Sequence, residues 1–380
     1  MEALCLEDDK VKAASHVRTG IRKVFSFGKF EGIVGEFTKE VVQRLTDNPL
    51  IEKITPDIIV NAVDFKVQPD APLHLVRLSQ EGSVNIEDDS EYFYDDRYLG
   101  QGVNAYVIDT GVFVEHPEFE ERAVLGPNFS DDVRHIDYVG HGTHVAGVIA
   151  SKTFGVAKKT RIISIKTLDR HGLGALSAVI AGLEYAVNHR ADSGSPGVAN
   201  LSLGAARSAI LDSAVEAAVD SGLVVVVAAG NNNMDACRAS PAGSPYALTV
   251  GAIDDKRDRV ASFSNWGCCV DIFSSGVDVE SLSNNPFDYV QTKKLSGTSM
   301  ASPVVAGVVA TLLGGGTKPE DLRGQLYRLA IDGAIARTSL LLRPGSPNRI
   351  ASTGVRENSL GNHGGFNRTN LETTAGTLVQ

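Results

Sequence analysis

Cysteine is scarce in this chain: Cys5, Cys237, Cys268 and Cys269 are the four in 380 residues. That excludes a scaffold built on disulfides at this length. Adjacent Cys268 and Cys269 point to opposite faces of an extended segment, which disfavours a bond between them. A bridge from Cys237 to either one stays open, because spacing cannot choose. Long apolar runs are missing too. Leu223–Ala229 and Val304–Leu313 are too short to span a bilayer, so no membrane partner is expected. Positive charge is in deficit, with 36 Lys and Arg against 46 Asp and Glu and a net charge of -10. No nucleic-acid footprint follows from such a balance. Met1–Lys10 carries Glu2, Glu7, Asp8 and Asp9 and lacks an apolar core, so no signal peptide is expected in the chain as written.

Hydrophobic residues make up 43% of the chain, enough for a full core, and the length suggests one large domain with an accessory segment. Up to about Val67 the patterns are small in scale. Val11–Val24 and Thr38–Asn48 read as helices, Phe30–Phe37 and Ile51–Val60 as strands. Val67–Pro72, polar and Pro-bearing, reads as an exposed linker. From Gly102 the grain changes. Val103–Ile108, Arg161–Leu168, Val198–Leu203 and Leu223–Ala229 read as strands; His141–Ser151, Ser177–His189 and Ala209–Ser221 read as helices. That alternation predicts an α/β fold, a mainly parallel sheet with helices on both faces and a ligand site at the strands' carboxyl ends. The expected domains are 1–67, 68–351 and a mobile polar tail, 352–380.

Three segments carry chemistry. Tyr106–Gly111 ends a buried strand in Asp109-Thr110-Gly111. Gly140–Gly147 reads G-H-G-T-H-V-A-G, with His141 at a helix start. Ser296–Pro303 reads S-G-T-S-M-A-S-P, with Ser299 opening an apolar helix. A serine hydroxyl is a weak nucleophile that needs a base, and the base needs an orienting acid. Each segment alone has a plainer reading: a loop cap for Asp109, half of a metal site for His141 with His144, an N-cap for Ser299. In the order Asp, His, Ser the plainer readings lose their force.

These three segments match the active-site signatures of the subtilisin family, and the chain resembles its proteinase K-like, cerevisin-type fungal branch from about Pro72 to about Ala351. The resemblance implies a three-layer α/β/α fold and a serine endopeptidase whose triad is Asp109, His141 and Ser299, with His144 a structural residue. It implies that Asn231, after the strand ending at Ala229, supplies an oxyanion donor together with the Ser299 backbone N–H. Gly172, Leu173 and Gly174, and Ser202, Leu203 and Gly204, resemble the two backbone strips that clamp an extended peptide. Ala228, Ala229 and Gly230 beside Gly204 would leave a roomy, neutral S1 pocket, suited to apolar or aromatic P1 residues.

No cofactor is expected for catalysis. The resemblance implies a structural calcium at the carbonyls of Pro245 and Ala247 and the carboxylate of Asp271; an ordinary solvated Asp271 is the competing reading. The N-terminal segment resembles the family's propeptide, an intramolecular inhibitor, in Phe30–Phe37 and Pro56-Asp57. An opening strand and a leader are not visible in it. Its tail, Asn61–Gln68, is expected in the cleft, with excision between about Ala62 and Ala71. Proteins or peptides are the implied substrates, the chain a monomer, and its location secreted or vacuolar. Asn128-Phe129-Ser130 and Asn367-Arg368-Thr369 are candidate sequons, while Asn200 lies in the presumed substrate strand. Two rivals are weighed: a catalytically impaired relative with a binding role, and an esterase, which would need the G-x-S-x-G that Gly297–Ala301 lacks.

Overall fold

Every residue of Asn104–Asp109 and of Val224–Ala228 is buried, on both faces of an extended backbone. Strands of that kind need cover above and below, and the computed structural model supplies it. It describes residues 20–56, 65–80, 82, 84, 90–356 and 377–379. The chain divides into two units, residues 1–63 with 366–380, and residues 64–365.

In the first unit Gly20–Phe27 (β1) forms a hairpin with Phe30–Glu36 (β2), closed by stacked Phe27 and Phe30 rings. Lys39–Thr46 (α1) follows, its N-terminus capped by the Thr38 hydroxyl. Ile54–Pro56 (β3) comes next. The helix expected over Val11–Val24 is corrected for residues 20–24, which are strand; residues 11–19 lie outside the described residues. Ile21, Val24, Phe25 and Phe27 suit a pleated surface better than a helix, and cross-strand pairing with β2 decides the matter. Residues 57–60 of the expected second strand also lie outside. The chain's last strand, Thr377–Val379 (β20), sits antiparallel between β2 and β3. These residues, expected within the polar tail, are a strand paired through its backbone on both sides. Residues 357–376, with the Asn367 sequon, lie outside the described residues.

In the second unit Phe65–Gln68 (β4) pairs with Tyr92–Asp95 (β5), so part of the expected linker is a strand. A four-residue alternation is too short to read before its partner is known. Leu73–Ser79 (α2) follows it. The main sheet draws on Asn104–Asp109 (β6), Ala123–Asn128 (β7), Arg161–Lys166 (β8) and Gly197–Leu201 (β9). Ala205–Ala206 (β10) is a spur outside it; Val224–Ala228 (β11) rejoins it, and Ala239–Ser240 (β12) pairs with the spur. Leu248–Asp254 (β13), Arg259–Val260 (β14) and Ile272–Ser275 (β15) continue it. Val279–Leu282 (β16) and Thr292–Leu295 (β17) form a separate hairpin. Ile331–Asp332 (β18) and Arg349–Ile350 (β19) finish one edge. The order is β18-β19-β15-β13-β11-β9-β6-β8-β7, parallel from β19 to β7.

Alternation along the strands sorts the core into two layers. Ala105, Val107 and Val226 pack with His141–Ala150 (α3) and Thr298–Gly314 (α6). Tyr106, Ile108, Val225 and Val227 pack with Leu176–Ser193 (α4) and Ala209–Asp220 (α5). Parallel strands with helices on both faces make the expected three layers. Cys237 bonds to Cys269, and Cys268 is an exposed free thiol. Among the described residues no helix is long and apolar enough to cross a membrane.

Candidate active site

The carboxyl ends of β6, β9 and β11 and the N-termini of α3 and α6 converge on one face of the second unit. Asp109 is the last residue of β6 and fully buried. Its Oδ1 lies 2.7 Å from Nδ1 of His141, the first residue of α3, and accepts the Thr110 N–H at 2.7 Å. The closeness depends on Gly142. A Cβ there would stand 2.0 Å from the Gly111 carbonyl oxygen, so only glycine lets the helix start reach the D-T-G turn. Burial alone would depress the His141 pKa. The charge and hydrogen bond of Asp109, with the charge of Asp137, outweigh it and hold the imidazole above its ordinary value.

Ser299 is the second residue of α6. Its hydroxyl donates to the Ser202 carbonyl at 3.2 Å. Asn231 follows the end of β11, and its Oδ1 accepts from the Thr298 N–H and hydroxyl, both at 2.9 Å. Only an oxygen can accept from that N–H, so the amide Nδ2 is turned the other way. A methyl placed on Gly297 would lie 3.4 Å from Asn231 Nδ2 and 3.7 Å from the Ser299 nitrogen. Two donors therefore border one small space, and the missing side chain of Gly297 leaves it open.

The two expected strips line a single groove. Gly172, Leu173 and Gly174 line it together with Ser202, Leu203 and Gly204, and Thr110 and His141 border it as well. The rest of the lining, Val139, Leu168, Leu176, Val179, Ala205 and Leu211, is apolar, and no acidic side chain lines it. Ala228 and Ala229 are buried and Gly230 half-buried, on the approach to Asn231. His144 is buried, and its Nε2–H donates to the carbonyls of Val279 and Lys293. Burial pushes its pKa down to about 4, so it is a neutral packing residue. Asn200 is likewise buried.

Pro245, Ala247 and Asp271, the expected calcium ligands, lie together, and the guanidinium of Arg323 sits among them, donating to Asp271 Oδ1 and to the carbonyls of Pro245 and Ala247.

Sequence reasoning missed several supports. Asp137 Oδ1 accepts from Thr110 Oγ1 at 2.8 Å and from the Gly140 N–H at 2.8 Å; Oδ2 accepts from Thr143 N and Oγ1 at 2.9 and 2.6 Å. One buried carboxylate thus ties the D-T-G turn to the start of α3. Lys166, fully buried, donates to the Thr110 and Leu168 carbonyls and pairs with Asp132 at 3.0 Å. Asn265 holds the Gly230–Met234 turn, accepting from Asn232 and Met234 and donating to the Ala229 carbonyl. An Asp four residues before a catalytic-type His was the one readable signal.

The pattern of the subtilase family matches residues 100–361. Subtilase-type proteinase RRT12 of Saccharomyces cerevisiae is 40% identical over 376 residues, covering 88% of this chain and 76% of that one. Cerevisin of the same organism is 44% identical over 302 residues, covering 77% of this chain; the match spans about half of cerevisin, 47%. A cuticle-degrading serine protease of Arthrobotrys oligospora is 39% identical over 345 residues, covering 88% and 81%. A solved structure, of a cold adapted subtilisin-like serine proteinase, is 40% identical with a TM-score of 0.68, covering 75% of this chain and 98% of that one.

Proposed function

The chain belongs to the subtilase family and is a subtilisin-like serine endopeptidase, and from that premise we propose that Asp109, His141, Ser299 and Asn231 carry its reaction. The observation that carries this reading is the 2.7 Å contact of Asp109 with His141 Nδ1, which leaves Nε2 as the base. The Ser299 hydroxyl leaves the Ser202 carbonyl, passes its proton to His141 Nε2, and attacks the scissile carbonyl. Charge then develops on the carbonyl oxygen in the space beside Gly297, where Asn231 Nδ2 and the Ser299 N–H can donate to it. The imidazolium, held by Asp109, returns the proton to the leaving amine. Water repeats the sequence on the acyl-enzyme.

An extended protein or peptide substrate lies along the groove between Gly172–Gly174 and Ser202–Gly204, hydrogen-bonded through its main chain. The Leu and Val lining and the absence of an acidic side chain there favour broad cleavage after apolar or aromatic residues. The N-terminal segment, residues 1–63, acts as a propeptide and inhibits the monomeric enzyme until it is cut away. Because β4 is paired within the second unit, the cut falls before Phe65. Secretion or vacuolar delivery fits such a zymogen.

A serine-directed fluorophosphonate should label the wild-type chain on Ser299, with casein hydrolysed at a rate proportional to the labelled fraction. Ser299→Ala should show neither and keep its N-terminus, while wild type begins between about Ala62 and Phe65. Failure of the folded wild type to label would instead support the binding-protein reading.

A further inference from the structure

Four residues, Pro245, Tyr246, Ala247 and Asp271, converge on a single side chain next to the start of β13. Nη2 of Arg323 donates to the carbonyls of Pro245, Tyr246 and Ala247 at 3.2, 3.4 and 2.8 Å, and Nη1 donates to Asp271 Oδ1. The same Oδ1 accepts the Tyr327 hydroxyl at 2.6 Å, and Oδ2 accepts the Thr249 N–H at 2.8 Å. Arg323 and Tyr327 are four apart on Leu322–Leu329 (α7) and so present one face.

We propose that Arg323 is the built-in cation of this site, holding by its guanidinium the oxygens that a structural calcium would otherwise gather, so that the site takes no calcium. The donor set fits the fork and not the ion. Calcium demands six to eight oxygens at about 2.3–2.6 Å. Here one carboxylate has both oxygens engaged by N–H and O–H donors, and the carbonyls face a nitrogen. A divalent ion entering that space would meet a like charge at close range. Arginine suits the arrangement because its planar fork serves a carboxylate on one side and carbonyls on another.

The consequence is local stiffness without a dissociable ligand. The braced turn Ala242–Ala247 joins β12 to β13, and β12 pairs with β10, directly after the Ser202–Gly204 strip. A bound ion stabilises only to the extent that its free concentration exceeds its dissociation constant. A guanidinium on the same chain is present whatever the solvent holds.

The test is thermal melting of the whole protein in calcium and in chelator, on wild type, Arg323→Ala and Asp271→Asn. Calcium should raise the melting temperature of wild type no more than that of Asp271→Asn. Arg323→Ala should melt several degrees lower in chelator. A calcium-induced rise in wild type that Asp271→Asn abolishes would overturn the proposal, as would an Arg323→Ala protein as stable as wild type in chelator. Should either variant fail to fold, anomalous diffraction from wild-type crystals soaked in calcium decides: an ion among Pro245, Ala247 and Asp271 refutes it, and the guanidinium in place supports it.

Discussion

The Ser202 hydroxyl donates to the Ser299 carbonyl at 2.8 Å, an acceptor left over because Pro303, four residues on, has no N–H to offer it. The same hydroxyl oxygen is 2.9 Å from both Asn200 Nδ2 and Ser302 Oγ, so its one donor and two acceptor positions are all in use. A proline inside a helix usually wastes a hydrogen bond. Here it frees one that ties the Ser202–Gly204 segment to the first turn of α6, where Ser299 lies.

Ser202→Ala should therefore orphan a buried carbonyl, at a cost of about 1–3 kcal/mol. Urea unfolding measures it. Undiminished stability would mean that the carbonyl finds another donor and the tie is dispensable.

Asn231→Leu should lower kcat by roughly 100- to 1000-fold, the scale known for the equivalent subtilisin donor, with little change in KM. The donor meets its charge mainly in the transition state. A change confined to KM would show that Asn231 only positions substrate.

The pH profile reports on Asp137. The base must be neutral to act, and its pKa is raised, so the acid limb of kcat/KM should lie above the free imidazole value of about 6.5. Stability from that shift is full below about pH 6.5 and is lost as pH rises through the folded pKa. Asp137→Asn removes one of the charges favouring imidazolium and should move the limb to lower pH. An unmoved limb would leave Asp137 with a purely mechanical role.

Acid should weaken the fold through His74 and His144. Burial pushes both down to about 4, while the unfolded chain takes up protons near 6.5. Stability should thus fall as pH drops from about 6.5 to about 4, where the native state begins to protonate. Denaturant midpoints for His74→Gln should depend less steeply on pH across that window. An identical slope would remove His74 from the explanation.

Cys268 and Cys269 compete for one partner. Cys268 Sγ lies 3.7 Å from Cys237 Sγ, beside the Cys237–Cys269 bond. In Cys269→Ser the bridge should re-form through Cys268 with stability largely kept, whereas Cys237→Ser should lose about 2–4 kcal/mol. Non-reducing peptide mapping and melting read both. A Cys269→Ser protein with no bridge would contradict this.

The family was legible in the sequence because its signatures are written in contiguous words. D-T-G, H-G-T-H and G-T-S-M-A-S-P each need a glycine or small residue at a fixed offset from the working side chain, as at Gly142 and Gly297, so spacing along the chain carries the geometry. The buried strands were legible for a related reason: β6 and β11 are covered on both faces, so β11 is wholly apolar and β6 is polar only at its ends, Asn104 and Asp109. The first unit was harder. Its first strand is half-exposed and carries no clean alternation of buried and exposed positions, so residues 20–24 declare themselves as strand only once β2 is laid beside them.

By itself the sequence determined the family and the parallel sheet, and it marked Asp109, His141 and Ser299 as the candidate triad, because each signal rests on residues close together in the chain. Tertiary structure alone decided the rest. Asp137 bridging Thr110 and Thr143, β20 pairing between β2 and β3, the choice of Cys269 over Cys268, and Arg323 among the carbonyls of the Pro245 turn all join positions whose meeting depends on the path between them. Charge, hydrogen-bonding capacity and reach are properties of a residue, but a partner is a property of the fold.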